Sequence, residues 1–138
     1  MVKCLWRQKV NQNYKLHKEW FKQDDYDLET AQAMFKADRY IYTVFMCHLS
    51  IEKALKGLYA KKFKKDPPKM HDLVYLIKKT GLTLPKENEE FLKILNELSV
   101  PTRYPDEIEK ILKQYKQERT EKILDQAKEL LLCLKEKL

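Results

Sequence analysis

A chain of 138 residues with 43% hydrophobic content, 36% charged content and a formal net charge of +7 has the length of one domain, and near that size a domain buries roughly two-thirds of its unfolded surface. Two glycines and five prolines leave little material for turns, which disfavours a strand-rich fold and favours long helices joined by short connections. Cys4, Cys47 and Cys133 are far apart and form no C-x-x-C pair, so the spacing points away from a disulfide framework or a zinc site.

Residues 1–16 show no clean period, and 1–18 read as a basic N-terminal extension to a bundle over 19–138. From Glu19 to about Lys36, Phe21, Leu28, Ala31 and Phe35 fall on one helical stripe, with Asp24 and Asp25 one turn in. A second helix is expected from about Arg39 to Phe63, where Val44, Cys47, Ile51, Leu55 and Leu58 trace one face. "DPP" at 66–68 is expected to end it, because proline lacks an amide donor and restricts the residue before it. A short helix follows from about His71 to Thr80, with Leu73, Leu76 and Ile77 inward. Lys78 and Lys79 suit its last turn, and Gly81 its left-handed cap.

The next helix spans about Lys86 to Ser99 with Phe91, Ile94, Leu95 and Leu98 inward, and "VPTRYP" reads as the loop that ends it. Asp106 and Glu109 resemble a capping box, after which Ile108, Leu112, Tyr115, Ile123, Ala127, Leu130 and Leu134 continue a periodic face. Arg119 interrupts that seam, so Thr120 could cap a fresh start and divide the region in two. The expected fold is all-α: an antiparallel, up-and-down bundle of four to five helices. No apolar run approaches the roughly 20 residues of a membrane span, and Met1–Val10 lacks the apolar stretch of a signal peptide. The expectation is a cytoplasmic protein with reduced thiols and no membrane contact.

Charge is uneven. Residues 1–23 carry six basic residues against Glu19, and "KKFKKDPPK" at 61–69 carries five lysines against Asp66. Such patches attract phosphate backbones by Coulomb steering, or are simply solvated surface.

Three constellations could carry chemistry. At about 100° per residue, with Val44 at zero, His48 falls near 40°, Glu52 near 80° and Lys53 opposite the stripe. His48 and Glu52 are therefore neighbours at the core's edge, either a satisfied pair or an imidazole oriented by a carboxylate for acid–base work. His71 and Asp72 stand at a helix start, where Asp72 suits the positive dipole end, His71 could help cap amides, and an anion would also be favoured. "TRYPD" at 102–106 offers the Arg103 guanidinium for phosphate and the Tyr104 ring for stacking; alternatively Arg103 ties its loop to a carboxylate such as Glu52 or Asp72. A glycine-rich phosphate loop, H-E-x-x-H, G-x-S-x-G and di-iron carboxylate–histidine spacing are all missing, which excludes P-loop nucleotide hydrolysis.

"EWFKQDDYDLETAQ", "FMCHLSIEKALKGLY", "HDLVYLIKKTG" and "PTRYPD", in that order and spacing, resemble the HEPN (higher eukaryotes and prokaryotes nucleotide-binding) domain family over residues 19 to about 137. The resemblance implies an antiparallel helical bundle, often homodimeric, that binds nucleotides or RNA. In prokaryotes such domains often pair with a small nucleotidyltransferase in toxin–antitoxin modules. Some members are metal-independent ribonucleases with an arginine followed, after four to six residues, by a histidine. None of Arg7, Arg39, Arg103 or Arg119 has that partner here; the nearest case, Arg39 to His48, has eight residues between.

The resemblance carries nucleotide or RNA binding onto Glu52, Lys53, Lys56, His71, Asp72, Arg103 and Tyr104. A ribonuclease with a variant site would draw on His48, His71 and Arg103, and a pure protein-interaction module is the third alternative. No cofactor or metal is expected.

Overall fold

The computed structural model describes residues 14–103 and 108–137, excluding the side chains of Thr102 and Arg103. The described residues form helices α1 His17–Lys36, α2 Tyr40–Phe63, α3 Leu73–Thr80, α4 Lys86–Arg103, α5 Ile108–Gln114 and α6 Gln117–Glu136. The all-α bundle is as the periodicity predicts. Residues 1–13 and the cap expected at Asp106 lie outside the described residues.

α2 is the central element and touches each of the other helices. Its apolar stripe is why: Val44, Cys47, Ile51 and Leu55 are wholly buried and Leu58 nearly so. α1 packs antiparallel to it, because Asp24 meets Ser50 while Trp20 and Phe21 meet Gly57. A Cβ on Gly57 would sit 2.7 Å from Phe21 Cε1 and 3.0 Å from Trp20 Cβ, so glycine is what lets the two helices approach.

Asn96 of α4 bonds both His48 and Leu73, and α4 residues Glu89 and Leu92 share a hollow with Ile77 of α3. α4 thus runs against α2 and α3. α6 ends beside α2 and α1, with Lys137 near Leu58 and Lys135 at Asp24, which completes the up-and-down arrangement of the four long helices. α3 breaks the alternation: His71 lies at Glu52, and Thr80 lies at Lys62, so α3 runs in the same sense as α2. The segment 64–72 carries the chain back along the bundle.

Several boundaries differ from expectation. α2 stops at Lys64, which adopts a left-handed conformation (φ 52°, ψ 43°) with its N–H on the Ala60 carbonyl; the prolines begin only afterwards and do not end the helix themselves. α4 runs through Pro101 to Arg103, so the expected loop begins later. A proline in the last turn forfeits one backbone bond near an end that is already losing partners, a smaller disturbance than in mid-helix. The terminal region is two helices, but α6 starts at Gln117 after an extended Lys116, and Thr120 is buried within it and caps nothing.

Ile94, Ile108 and Leu112, expected inward, are exposed, and α5 instead buries Ile111. Tyr115, fully buried at the joint between α5 and α6, donates its hydroxyl to the Leu98 carbonyl at 2.7 Å and ties that joint to α4. At α3 the expected left-handed cap is present, Gly81 having φ 74°, and the start is capped by Asp72, whose carboxylate accepts from the Val74 and Tyr75 N–H groups. Among the described residues no helix is long and apolar enough to cross a membrane.

Candidate functional site

The polar residues of α2 converge with the start of α3 and the middle of α4. The stripe places Glu52 inside the bundle, 4% exposed, where a carboxylate requires compensation. Two of its partners lie among the described residues. Oε2 accepts from Lys56 Nζ at 3.2 Å, and Oε1 accepts from His71 Nδ1 at 2.9 Å. Because a carboxylate only accepts, His71 Nδ1 must carry the proton. The His71 side chain is 66% exposed, so a solvent-facing ring is fixed by a buried anion. Its expected capping role does not occur; Asp72 does the capping.

His48, also buried, bonds elsewhere. Its Nδ1 stands 4.0 Å from Glu52 Oε1, beyond hydrogen-bond reach, while its Nε2 lies 3.2 Å from Asn96 Oδ1. Asn96 is the hub. Its Oδ1 also accepts from the Leu73 N–H at 3.0 Å, and its Nδ2 donates to Asp72 Oδ1 at 2.8 Å. With the amide orientation fixed on both sides, His48 Nε2 is the donor. The first amides of α3 are all engaged, Leu73 by Asn96 and Val74 and Tyr75 by Asp72, so this helix start offers no unoccupied amide cradle for an anion.

Above this network lies a cleft of about 270 Å³ lined by His48, His71, Asp72, Asn96, Ser99 and Val100. It is at the small end of ligand pockets, suited to one phosphate or one base. Of the expected site residues, the cleft brings together His48, His71 and Asp72. Glu52 lies behind His71 as its anchor. Lys56 is buried between Glu52 and the Trp20 ring, whose centroid is 5.8 Å from Nζ. Lys53 faces α1 and pairs with buried Asp27 at 2.6 Å. Tyr104 and the Arg103 side chain lie outside the described residues; the Arg103 backbone is one turn beyond Ser99.

Asn96 was missed by sequence reasoning. Its available signal was an asparagine beside Leu95, an unfavourable helix-interior residue that competes for backbone bonds unless its side chain is engaged. Asp24 and Asp27 were missed as buried carboxylates, although Asp24 precedes Leu28 and Ala31 on the apolar stripe.

Asp24 anchors a second polar cluster between α1, α2 and α6. Its Oδ1 accepts from the Ser50 hydroxyl at 2.9 Å, and Lys135 Nζ lies 3.7 Å from Oδ2 while also bonding Asp25. Burial pushes the Asp24 carboxyl up to about 6, with the Ser50 bond and Lys135 opposing. Burial likewise pushes the Cys47 thiol up to about 12, which makes it inert as a nucleophile. Among the described residues no three of His, Cys, Asp and Glu are placed to share a metal ion.

The family model for the HEPN domain matches residues 17–137. The fold is similar to that of TT1696 from Thermus thermophilus, with 27% identity and a TM-score of 0.78, covering 88% of this chain and 98% of that one. It is also similar to ST0689, an archaeal HEPN homologue, with 25% identity and a TM-score of 0.69, covering 89% and 98% respectively. No curated protein matches the chain.

Proposed function

The chain belongs to the HEPN domain family, and on that premise we propose that its cleft binds a nucleotide or RNA. The observation that carries this is His71: an exposed imidazole whose Nδ1 is held by buried Glu52, leaving Nε2 as the nitrogen for a ligand. A ring already fixed in place loses little freedom on binding. As imidazolium it donates to a phosphate oxygen, and as the neutral ring it accepts from a base or ribose hydroxyl. Ser99 and Asn96 add polar lining, Val100 adds an apolar wall, and Arg103 and Tyr104 follow one turn beyond Ser99 in the chain.

Calorimetry with ATP, GTP and short RNAs is expected to detect binding that His71→Ala and Arg103→Ala each weaken about tenfold, the value of one charge-assisted hydrogen bond. Absence of binding to all of these ligands overturns the reading. Assembly as a homodimer, and pairing with a nucleotidyltransferase in a toxin–antitoxin module, accompany it; native mass and co-purification test them.

The presence of two imidazoles on one cleft favours a second reading, metal-independent RNA cleavage with His48 and His71 as acid and base. Mixed RNA left intact at high protein concentration rules that reading out.

A further inference from the structure

Because α2, α3 and α6 run in the same sense, their C-termini meet at one pole of the bundle. Lys61 and Lys62 close α2, Lys78 and Lys79 close α3, and Lys137 follows α6. Two more lysines precede Asp66. Lysines at helix ends ordinarily offset the dipole, but three ends present only about 1.5 negative charges in total. Adding Asp66 and Glu136 still leaves the pole clearly positive. Lys62 spends its ammonium on a neutral group, the Thr80 carbonyl at 2.8 Å, so its charge is not cancelled. Three of these lysines, Lys61, Lys62 and Lys137, line a hollow of about 260 Å³ together with Leu58, Thr80 and Leu82. Beside it, exposed Phe63 packs on Tyr59, ring centroids 4.6 Å apart, with Lys62 Nζ 5.3 Å from the Phe63 ring.

We propose that this pole is a second binding surface, separate from the His71 cleft, which holds the phosphate backbone of an RNA strand. In naming RNA the proposal rests on the reading of the cleft; the surface itself is argued from charge and shape. Lysines around a concave rim with an exposed aromatic ring suit a strand whose phosphates track the charge while a base stacks. A lipid surface would instead call for a continuous apolar helix face, and here the charges come from three helix ends. Glu52 and Lys62 are separated by about 15 Å along α2 at 1.5 Å per residue. A mononucleotide in the cleft does not reach the pole, whereas a strand of several nucleotides spans both.

The test is fluorescence anisotropy of the full chain with labelled oligouridylates of about 4 and about 20 nucleotides, across roughly 50–200 mM salt. Lys65→Glu, Lys78→Glu and Lys137→Glu are combined, and the same three positions changed to Gln serve as a milder variant. The combined variants are expected to lose about tenfold or more in affinity for the longer strand and to flatten the salt dependence by about two in log–log slope, the share of three phosphate contacts on a single strand. His71→Ala is expected to weaken binding while lowering that slope by no more than about 0.7, the share of one phosphate contact. Unchanged affinity and slope in both lysine variants overturn the pole. Sedimentation with phosphatidylserine vesicles in the absence of RNA binding also overturns it, in favour of a membrane partner. Loss in the lysine variants with His71→Ala indistinguishable from wild type supports the pole and overturns the cleft instead.

Discussion

The exposed imidazole of His71 and the buried carboxylate of Glu52 are joined Nδ1 to Oε1 at 2.9 Å, between a surface loop and the centre of the bundle. That bond dictates a tautomer. Nitrogen-edited NMR of the neutral ring is expected to find the His71 proton on Nδ1; a proton on Nε2 would show that the bond does not form in solution. Glu52→Gln keeps an acceptor but leaves the Lys56 ammonium, 8% exposed, without its counter-charge. The expected loss is on the order of 3 kcal/mol, as for one half of a buried pair, read from urea midpoints.

Asn96→Leu fills the same space with no polar atoms. It strands the His48 Nε2 donor and the first amide of α3 together. Each buried unsatisfied donor costs about 1–3 kcal/mol, so an overall loss of about 2–6 kcal/mol is expected for the two. Hydrogen exchange should accelerate at Leu73, because its amide loses its acceptor. Unaltered exchange there would dismiss Asn96 as the hub.

Asp24 gives a pH dependence of definite sign. Its carboxyl lies at about 6 in the fold against an ordinary value of 3.8, so between those values the folded state binds more protons than the unfolded chain. Stability from this group is complete below about 4 and falls as pH rises through about 6, by on the order of 3 kcal/mol. Asp24→Asn, which keeps the acceptor for Ser50 and removes the charge, is expected to melt higher than wild type at pH 8, with the gap closing near pH 4. A gap independent of pH would contradict this.

Gly57→Ala tests the closest helix approach. Alanine is favoured over glycine in a helix interior by about 1 kcal/mol, but its methyl would lie 3.0 Å from Trp20 Cβ, an atom that cannot swing away. Overpacking costs about 1–3 kcal/mol and should win, with a lower urea midpoint at unchanged slope. A stabilised variant would show that α1 can yield.

Much of the bundle was legible because burial follows a 3.6-residue period. Val44, Cys47, Ile51, Leu55, Leu73, Leu76, Ile123 and Ala127 lie inside as their spacing predicts. Periodicity loses its hold where a helix has few neighbours. Ile94, Ile108 and Leu112 are apolar at plausible positions, yet nothing in the described fold covers them. The cleft was half legible: His48 and Glu52 could be placed at the core's edge by angle alone, and Asp72 at a helix start by its charge. Their true partners could not, because His71 reaches Glu52 and Asn96 reaches His48 through tertiary packing, across 19 and 48 residues of chain. Lys53 illustrates the opposite limit. Its angle, away from the stripe, suggested solvent, but α1 covers that side with Asp27.

The backtracking segment 64–72, which sets α3 parallel to α2, has a consequence for the order in which the molecule assembles. α1 and α2 are joined by a tight connection and zip together through contacts close in sequence, the kind that form early. The cleft needs the chain to double back and α4 to dock on His48 before any of its bonds close. Loop closure of that span costs entropy before contacts repay it. The region carrying the proposed chemistry is thus expected to be the last to form on folding and the first to open in native-state exchange, with amides of α3 less protected than those of α2.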